Sequence, residues 1–287
     1  MSDTVCIAAT CMEDSEPRII LCADTKMTFG DVAAWEGAVK CHQIFPGWFV
    51  MLSGDSSKAK EVIDRYISNL NTFVHLGPTD VEVIDQLRVP LRQQRTSDVD
   101  EYVISQTGLT YREFLEKADK FPDVARVELF EGVKRVSLGC DLIIVGFTTG
   151  RPRIYGTDAT GRLVEQDTMC SIGCGYIAAL ASMSRREYNR NLDIHEALYY
   201  VYEAKRASEG VPGVGKQTHM LVLAPLESQQ AHHTRSLGLA GFDILQKQDR
   251  AFGIHPFKKL ASVRRLPLEE CNSEWVRLKQ SGQLTPE

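Results

Sequence analysis

The 287-residue sequence lacks several features that would each indicate a different class of protein. No apolar stretch is long enough to cross a membrane. The net charge of -5 gives no reason to expect nucleic acid or an anionic membrane as a partner. Residues 1–10 have neither the basic start nor the apolar centre of a signal peptide. We therefore expect a cytoplasmic protein.

Signals for metals and cofactors are missing as well. No CxxC pair occurs and the seven histidines are scattered, so no metal site is predicted. Most of the eight cysteines lie inside apolar runs, where cysteine behaves as a small buried hydrophobe, and free thiols are expected in a reducing compartment. The glycine-rich stretch 210–216 lacks the spacing of a phosphate-binding P-loop and the Ser or Thr after its lysine. We expect no cofactor.

What the chain does contain is enough apolar sequence for a large core, with 43% hydrophobic residues. The pattern predicts one domain over residues 1–224, with a helical insertion at about 96–135, and a polar C-terminal extension over 225–287 that packs on the domain or projects from it. Strands are predicted at 4–10, 18–24, 40–44, 47–53, 138–147, 153–158, 161–167, 169–175 and 218–224. Helices are predicted after Asp55 and at about 80–95, 109–115, 177–190 and 193–208.

This order alternates strand groups with helix pairs. Antiparallel strand pairs followed by helix pairs favour two stacked sheets between two helical layers. The predicted fold class is therefore α+β, a four-layer α/β/β/α sandwich.

Chemically useful groups lie at the ends of several predicted strands. Thr4 begins the first strand, Asp24 ends the second, Lys40 begins the third, and Gly54 ends the fourth. A hydroxyl, a carboxylate, an ammonium and a glycine N–H group at strand ends can converge into one site. The alternative interpretation is that Asp24 and Lys40 form an ion pair that only stabilises the fold.

Several of these stretches resemble the proteasome β-subunit family of N-terminal nucleophile hydrolases. Residues 22–28 resemble its A-D-x-R/K-x-T segment, and residues 52–54 its A-G turn. Residues 142–147 with 154–161 resemble its L-I-G-G and L-Y-x-x-D-P-x-G hairpin, and residues 171–175 its T-G-S-G turn. The resemblance covers roughly residues 4–224, and the opening residues are most similar to small bacterial relatives of the proteasome.

The resemblance implies roles for individual residues. Thr4 would be the nucleophile, with its own freed α-amino group as general base. Asp24 would orient Lys40, which would lower the pKa of the hydroxyl, and the backbone N–H of Gly54 would bind the oxyanion. Thr28 would bond the substrate backbone. Met27, Leu52 and Ser56 would line a specificity pocket for an apolar or medium side chain.

The family also implies the cleavage of peptide or other amide bonds through an acyl-enzyme, in a homo-oligomeric ring or stacked ring that an ATPase can serve. Three residues precede Thr4, and Asp3 stands where self-processing members usually carry glycine. Ser2 is therefore a second candidate nucleophile. Cys174 replaces a supporting serine, and the match near residues 209–212 is poor. A catalytically inactive structural subunit and a small-amide acylase both remain open alternatives.

Overall fold

The computed structural model describes residues 4–29, 33–71, 80–158, 160–225, 234–252 and 268–270. Its strands are β1 (Cys6–Glu13), β2 (Glu16–Asp24), β3 (Lys26–Phe29), β4 (Ala33–Glu36), β5 (Cys41–Phe45), β6 (Trp48–Gly54), β7 (Cys140–Thr148), β8 (Arg151–Thr157), β9 (Leu163–Gln166), β10 (Met169–Ile172), β11 (Thr218–Leu223), β12 (Thr234–Leu237) and β13 (Leu268–Glu270). Its α-helices are α1 (Ser56–Asn71), α2 (Asp80–Thr107), α3 (Tyr111–Glu116), α4 (Asp123–Arg135), α5 (Tyr176–Arg185), α6 (Ile194–Ser208) and α7 (Leu239–Phe252). The chain forms two compact units, one of residues 1–54, 142–156 and 164–287 and one of residues 55–141 and 157–163.

The first unit is built on a six-stranded sheet in the order β10-β1-β2-β11-β12-β13. Its pairs are all antiparallel. Asp14 and Ser15 connect β1 to β2, and both have positive φ, which is the backbone of a tight two-residue hairpin turn. A five-stranded sheet follows the order β5-β6-β7-β8-β9, and β3 pairs with β4 in a small hairpin.

Both faces of strand β1 are buried, which explains the apolar run at its start. Ile7, Ala9 and Cys11 lie in the core that also contains residues of α5, α6 and α7. Cys6 and Ala8 lie in a second core with residues of β5 to β8, between the two large sheets. A strand that is buried on both faces cannot alternate apolar with polar residues. The first unit therefore contains a helical layer and two facing sheets.

The second unit contains helices α1 to α4. Its small core contains Val99, Val103, Phe114 and Leu129. Thr110 and Glu113 form a reciprocal capping box that starts α3. Within the part of the chain that the model describes, no helix is both long and apolar enough to span a bilayer.

The predicted α+β class with antiparallel sheets is confirmed, while the complete four-layer sandwich and the domain division remain predictions. Some boundaries were predicted wrongly. Helix α2 continues to Thr107, beyond the predicted end at about residue 95, and contains Pro90. Helix α4 lies inside the helical insertion predicted at about 96–135, although its bounds were not predicted. Helix α5 ends at Arg185, before the predicted end at 190. Helix α4 exposes a large polar surface and buries only Leu129, so its apolar periodicity is weak.

The described part of the C-terminal extension adds to the first unit. Strand β12 pairs with β11 and then with β13. In α7, Leu245 is buried in the helical-layer core, and the Phe242 ring lies 6.3 Å from that of Tyr202. Glu13 binds both Arg18 in β2 and Arg235 in β12, which ties this extension to the first hairpin.

Candidate active site

Three buried side chains meet at the start of β1. Asp24 ends β2, next to β1 in the sheet, and Lys40 directly precedes β5. The hydroxyl of Thr4 donates to Asp24 Oδ1 and accepts from Lys40 Nζ. Lys40 Nζ also donates to Asp24 Oδ1 at 2.9 Å. Thr4 is 3% exposed, Asp24 is fully buried and Lys40 is 5% exposed, so each of the three polar groups is paired inside the protein.

Backbone N–H groups hold the Asp24 carboxylate in place. Oδ1 accepts from the N–H of Val5 at 2.9 Å. Oδ2 accepts from Gly215 at 2.9 Å and from Lys26 at 3.2 Å. Three backbone donors and one ammonium fix the orientation of this carboxylate. Asp24 therefore connects the start of β1, the start of β3 and the segment before β11.

The turn after β10 holds the backbone carbonyl group of Thr4 in place. The N–H of Gly175 donates to Thr4 O at 3.2 Å, and Cys174 Sγ contacts the same oxygen at 3.4 Å. Gly173 has a φ of 89°, and a Cβ there would lie 2.3 Å from Thr4 O. Only glycine allows this turn to approach β1 so closely. Cys174, which replaces the family's supporting serine, thus contacts the backbone of Thr4.

A thiol also lies near the three side chains. Burial raises the pKa of Cys6 to about 12, although the positive charge of Lys40 acts in the opposite direction. Its Sγ contacts Leu52 O at 3.5 Å. Since the thiolate is the nucleophilic form, burial works against a reaction at Cys6. The hydroxyl of Thr4 contacts both Lys40 and Asp24 and is the candidate nucleophile of this cluster.

The other predicted site residues lie on three elements. Gly54 ends β6, is exposed and has a φ of 94°. Leu52 on β6 and Met27 on β3 are half-buried. Thr28 pairs with Ala34 in the β3–β4 hairpin, and its side chain lies outside the described residues. Ser56 is exposed at the start of α1, in the second unit. Ser2 also lies outside the described residues.

Sequence reasoning missed the groups that hold Asp24. Gly215 was considered only as part of a phosphate loop, yet its N–H donates to Asp24. Lys205 was also missed: it is fully buried, contacts Glu209 and donates to Lys216 O at 2.7 Å, next to Gly215. Three glycines within residues 210–216 were the available signal for a close backbone approach.

No described group of three or more His, Cys, Asp or Glu residues is arranged to hold a metal ion. The described cysteines, from Cys6 to Cys174, are free thiols, and Cys271 lies outside the described residues.

Comparison with known proteins supports the predicted family. A family model described as the proteasome subunit matches residues 110–217. The matched segment contains β7 to β10, α5 and α6, and it ends just before β11. A search of the curated protein sequences gives no significant match. The segment is thus similar to proteasome subunits, and Thr4, Asp24 and Lys40 lie outside it.

Proposed function

We propose that this chain is a proteasome-type amide hydrolase whose nucleophile is the hydroxyl of Thr4. The observation that carries the proposal is the contact of Thr4 Oγ1 with both Lys40 and Asp24 in a buried cluster. This cluster lies outside the matched segment, so its geometry and the family match support the proposal independently.

The proposed base is an α-amine that the unprocessed chain lacks. The nitrogen of Thr4 is an amide while residues 1–3 are attached, and an amide is not basic. Removal of those residues frees an α-amine with an ordinary pKa near 8, within reach of its own hydroxyl. The amine takes the hydroxyl proton as the oxygen attacks the substrate carbonyl. The C–N bond then breaks, the proton passes to the leaving amine, and water hydrolyses the ester to restore Thr4.

Lys40 and Asp24 provide the charges that stabilise this step. The ammonium of Lys40 touches the hydroxyl oxygen and stabilises the negative charge that develops there. Asp24 fixes Lys40 and is itself fixed by three backbone donors. The proposed oxyanion donor is the N–H of Gly54.

The proposed substrate is a peptide or another amide. The backbone of Thr28 would bind it as an added strand, and Met27, Leu52 and Ser56 would surround its side chain. The match to proteasome subunits is consistent with oligomeric assembly. We extend this to a homo-oligomeric ring or stacked ring in the cytoplasm, with an ATPase partner.

One arrangement favours a catalytically inactive structural subunit as the second candidate. Asp24 joins three backbone segments, and an ion pair with Lys40 would stabilise them whether or not any substrate binds. Thr4 is also only 3% exposed. This candidate predicts that the chain never frees the amine of Thr4.

An acylating probe distinguishes the two candidates. The purified oligomer is incubated with a peptide that carries a β-lactone, and the modified residue is located by peptide mapping. We expect one adduct per active chain on Thr4, and hydrolysis of fluorogenic peptide amides that Thr4→Ala lowers at least about 100-fold.

Thr10→Ala is the matched control. Thr10 is a second buried threonine and lies in β1, and its hydroxyl donates to Thr168 O and to no other described residue. The Thr10→Ala variant should hydrolyse the fluorogenic peptide amides at a rate within a few-fold of that of the unchanged chain. Equal activities for the two variants, or an adduct elsewhere, would exclude Thr4 as the nucleophile. A clear preference for small acylated amides over peptides would indicate the acylase alternative.

A further inference from the structure

The second unit contains a cleft of about 660 Å³ between one face of α2 and the turn before β9. Helix α2 contributes Arg88, Arg92 and Arg95, which lie on one helix face because they are spaced four and three residues apart. The turn contributes Arg162. We call this feature the arginine cleft. None of the residues that line it is acidic.

Part of this positive charge has no carboxylate partner. Arg88 pairs with Asp85 at 2.6 Å. Within the described ranges, Arg92 and Arg162 form no ion pair with a carboxylate. The nearby carboxylate of Asp158 accepts from the backbone N–H groups of Thr160 and Arg162. This carboxylate shapes the turn. Burial acts to raise its pKa, but hydrogen bonds and the nearby positive charge of Arg162 lower it. Among the described residues no hydrogen bond joins the Arg162 guanidinium to it.

Arg95 adds a partly desolvated cation. Its Nη2 donates to Val133 O at 3.2 Å. Its Nη1 is buried and has no hydrogen-bond partner among the described residues. A buried charged donor without a partner is costly, and a negative charge in the cleft would offset that cost. A protein that needed this face only for folding would gain from an acidic residue here.

The neutral polar groups of the cleft are already engaged. Thr96 Oγ1 donates to Arg92 O at 3.0 Å, and Thr160 Oγ1 donates to Asp158 Oδ1 at 2.6 Å. Recognition of a ligand therefore falls to the guanidinium groups. Guanidinium binds phosphate and carboxylate oxygens through two parallel N–H bonds, which is a geometry that a lysine cannot provide.

We propose that the arginine cleft binds a small molecule that carries a diphosphate group. Arg92, Arg95 and Arg162 form no ion pair with a carboxylate within the described residues, and three such cations call for a ligand with about three negative charges, which a diphosphate carries near neutral pH. The cleft has the size of a small-molecule site. Leu91 and Leu163 also line it and provide apolar surface for an organic group attached to the diphosphate. This site is separate from the Thr4 cluster.

Isothermal titration calorimetry on the full chain with inorganic pyrophosphate tests the proposal. We expect saturable binding with a Kd of about 100 µM or tighter, and orthophosphate at least about tenfold weaker. Binding should weaken as the salt concentration rises, because ions screen exposed charges. Citrate, which carries a similar charge on carboxylates, should bind more weakly than pyrophosphate.

Arg92→Ala/Arg162→Ala is the test variant. Both side chains are exposed, so the variant should fold, which circular dichroism checks. We expect it to lose pyrophosphate affinity at least about 30-fold. Arg112→Ala/Lys134→Ala removes two exposed cations of the same unit outside the cleft, and it should bind within about twofold of the unchanged chain. No saturable binding, equal losses in both variants, or tighter binding of citrate would each overturn the proposal.

Discussion

Lys40 Nζ lies 2.9 Å from Asp24 Oδ1, and both side chains are buried at the start of β1. Asp24→Asn would leave a buried ammonium without its counter-ion. We expect it to lower the free energy of unfolding by about 3 to 5 kcal/mol. Urea unfolding monitored by circular dichroism measures this change.

Lys134→Met is the control for this ion pair, because it removes a lysine from an exposed pair with Glu131. It should change the free energy of unfolding by no more than about 1 kcal/mol. If Asp24→Asn lowers the free energy of unfolding as little as the control does, the Lys40–Asp24 contact does not hold the cluster together.

Gly215 provides a steric test of the Asp24 position. A Cβ at this residue would lie 2.5 Å from Lys26 Cβ and 2.9 Å from Asp24 Oδ2. Gly215→Ala must therefore displace the carboxylate or the adjacent backbone. We expect about 1 to 3 kcal/mol of destabilisation, measured by urea unfolding, and a fall in peptide-amide hydrolysis of at least about tenfold.

Gly210→Ala is the matched control, since only Ala207 O lies within 4 Å of a Cβ there, at 3.8 Å. It should leave both quantities nearly unchanged. Equal effects of the two substitutions would show that the space beside Asp24 is not restricted.

The sequence could identify Thr4, Asp24 and Lys40 as one candidate cluster because each lies at a strand end, and strand ends meet at one edge of a sheet. It could not identify the donors that fix Asp24. The N–H groups of Val5 and Gly215 are backbone atoms, and no side chain distinguishes them from other amides. Their positions depend on how β1, β2 and β11 pair.

In the fold, too, some features could be predicted from the sequence and others could not. Strands β1 and β2 were predictable because their apolar runs are buried on both faces and are joined by a polar turn. The bounds of helix α4 within the predicted helical insertion were not predictable, because Leu129 is its only residue in the buried core of the second unit. Its apolar pattern is therefore too weak to stand out from its charged surface.

Glu13 makes stability depend on pH. Burial acts to raise the pKa of this carboxyl, but hydrogen bonds from Arg235 and Arg18 outweigh it, so the folded pKa is lowered. The stabilisation is complete above the ordinary Glu pKa of about 4.3 and is lost as the pH falls through the lowered folded value. At pH 7, Glu13→Gln should destabilise by about 1 to 3 kcal/mol, because Arg18 is fully buried.

This prediction is checked by urea unfolding of Glu13→Gln and the unchanged chain across pH. Their difference should shrink as the pH falls below about 4. Glu165→Gln, which removes an exposed partner of Arg153, should cost less than about 1 kcal/mol. A Glu13 effect that stays constant through the acid range would contradict the ion-pair explanation.

Cys6 should be unreactive although it lies beside the candidate nucleophile. With a pKa of about 12 and a buried sulfur, it has almost no thiolate at pH 8. Iodoacetamide should modify the half-buried Cys174 before Cys6 in the native protein, and both should react in urea. Peptide mapping after timed alkylation measures the two rates. Equal native rates would mean that Cys6 is accessible and ionised.

The central claim is that Thr4 becomes the first residue of the active chain. The most direct test is the intact mass of the purified protein together with N-terminal sequencing. The account predicts the loss of residues 1–3 and a free amine on Thr4, and Thr4→Ala should then abolish hydrolysis. A chain that begins at Ser2, or one that retains or acetylates Met1, leaves Thr4 without a free amine and would contradict the account.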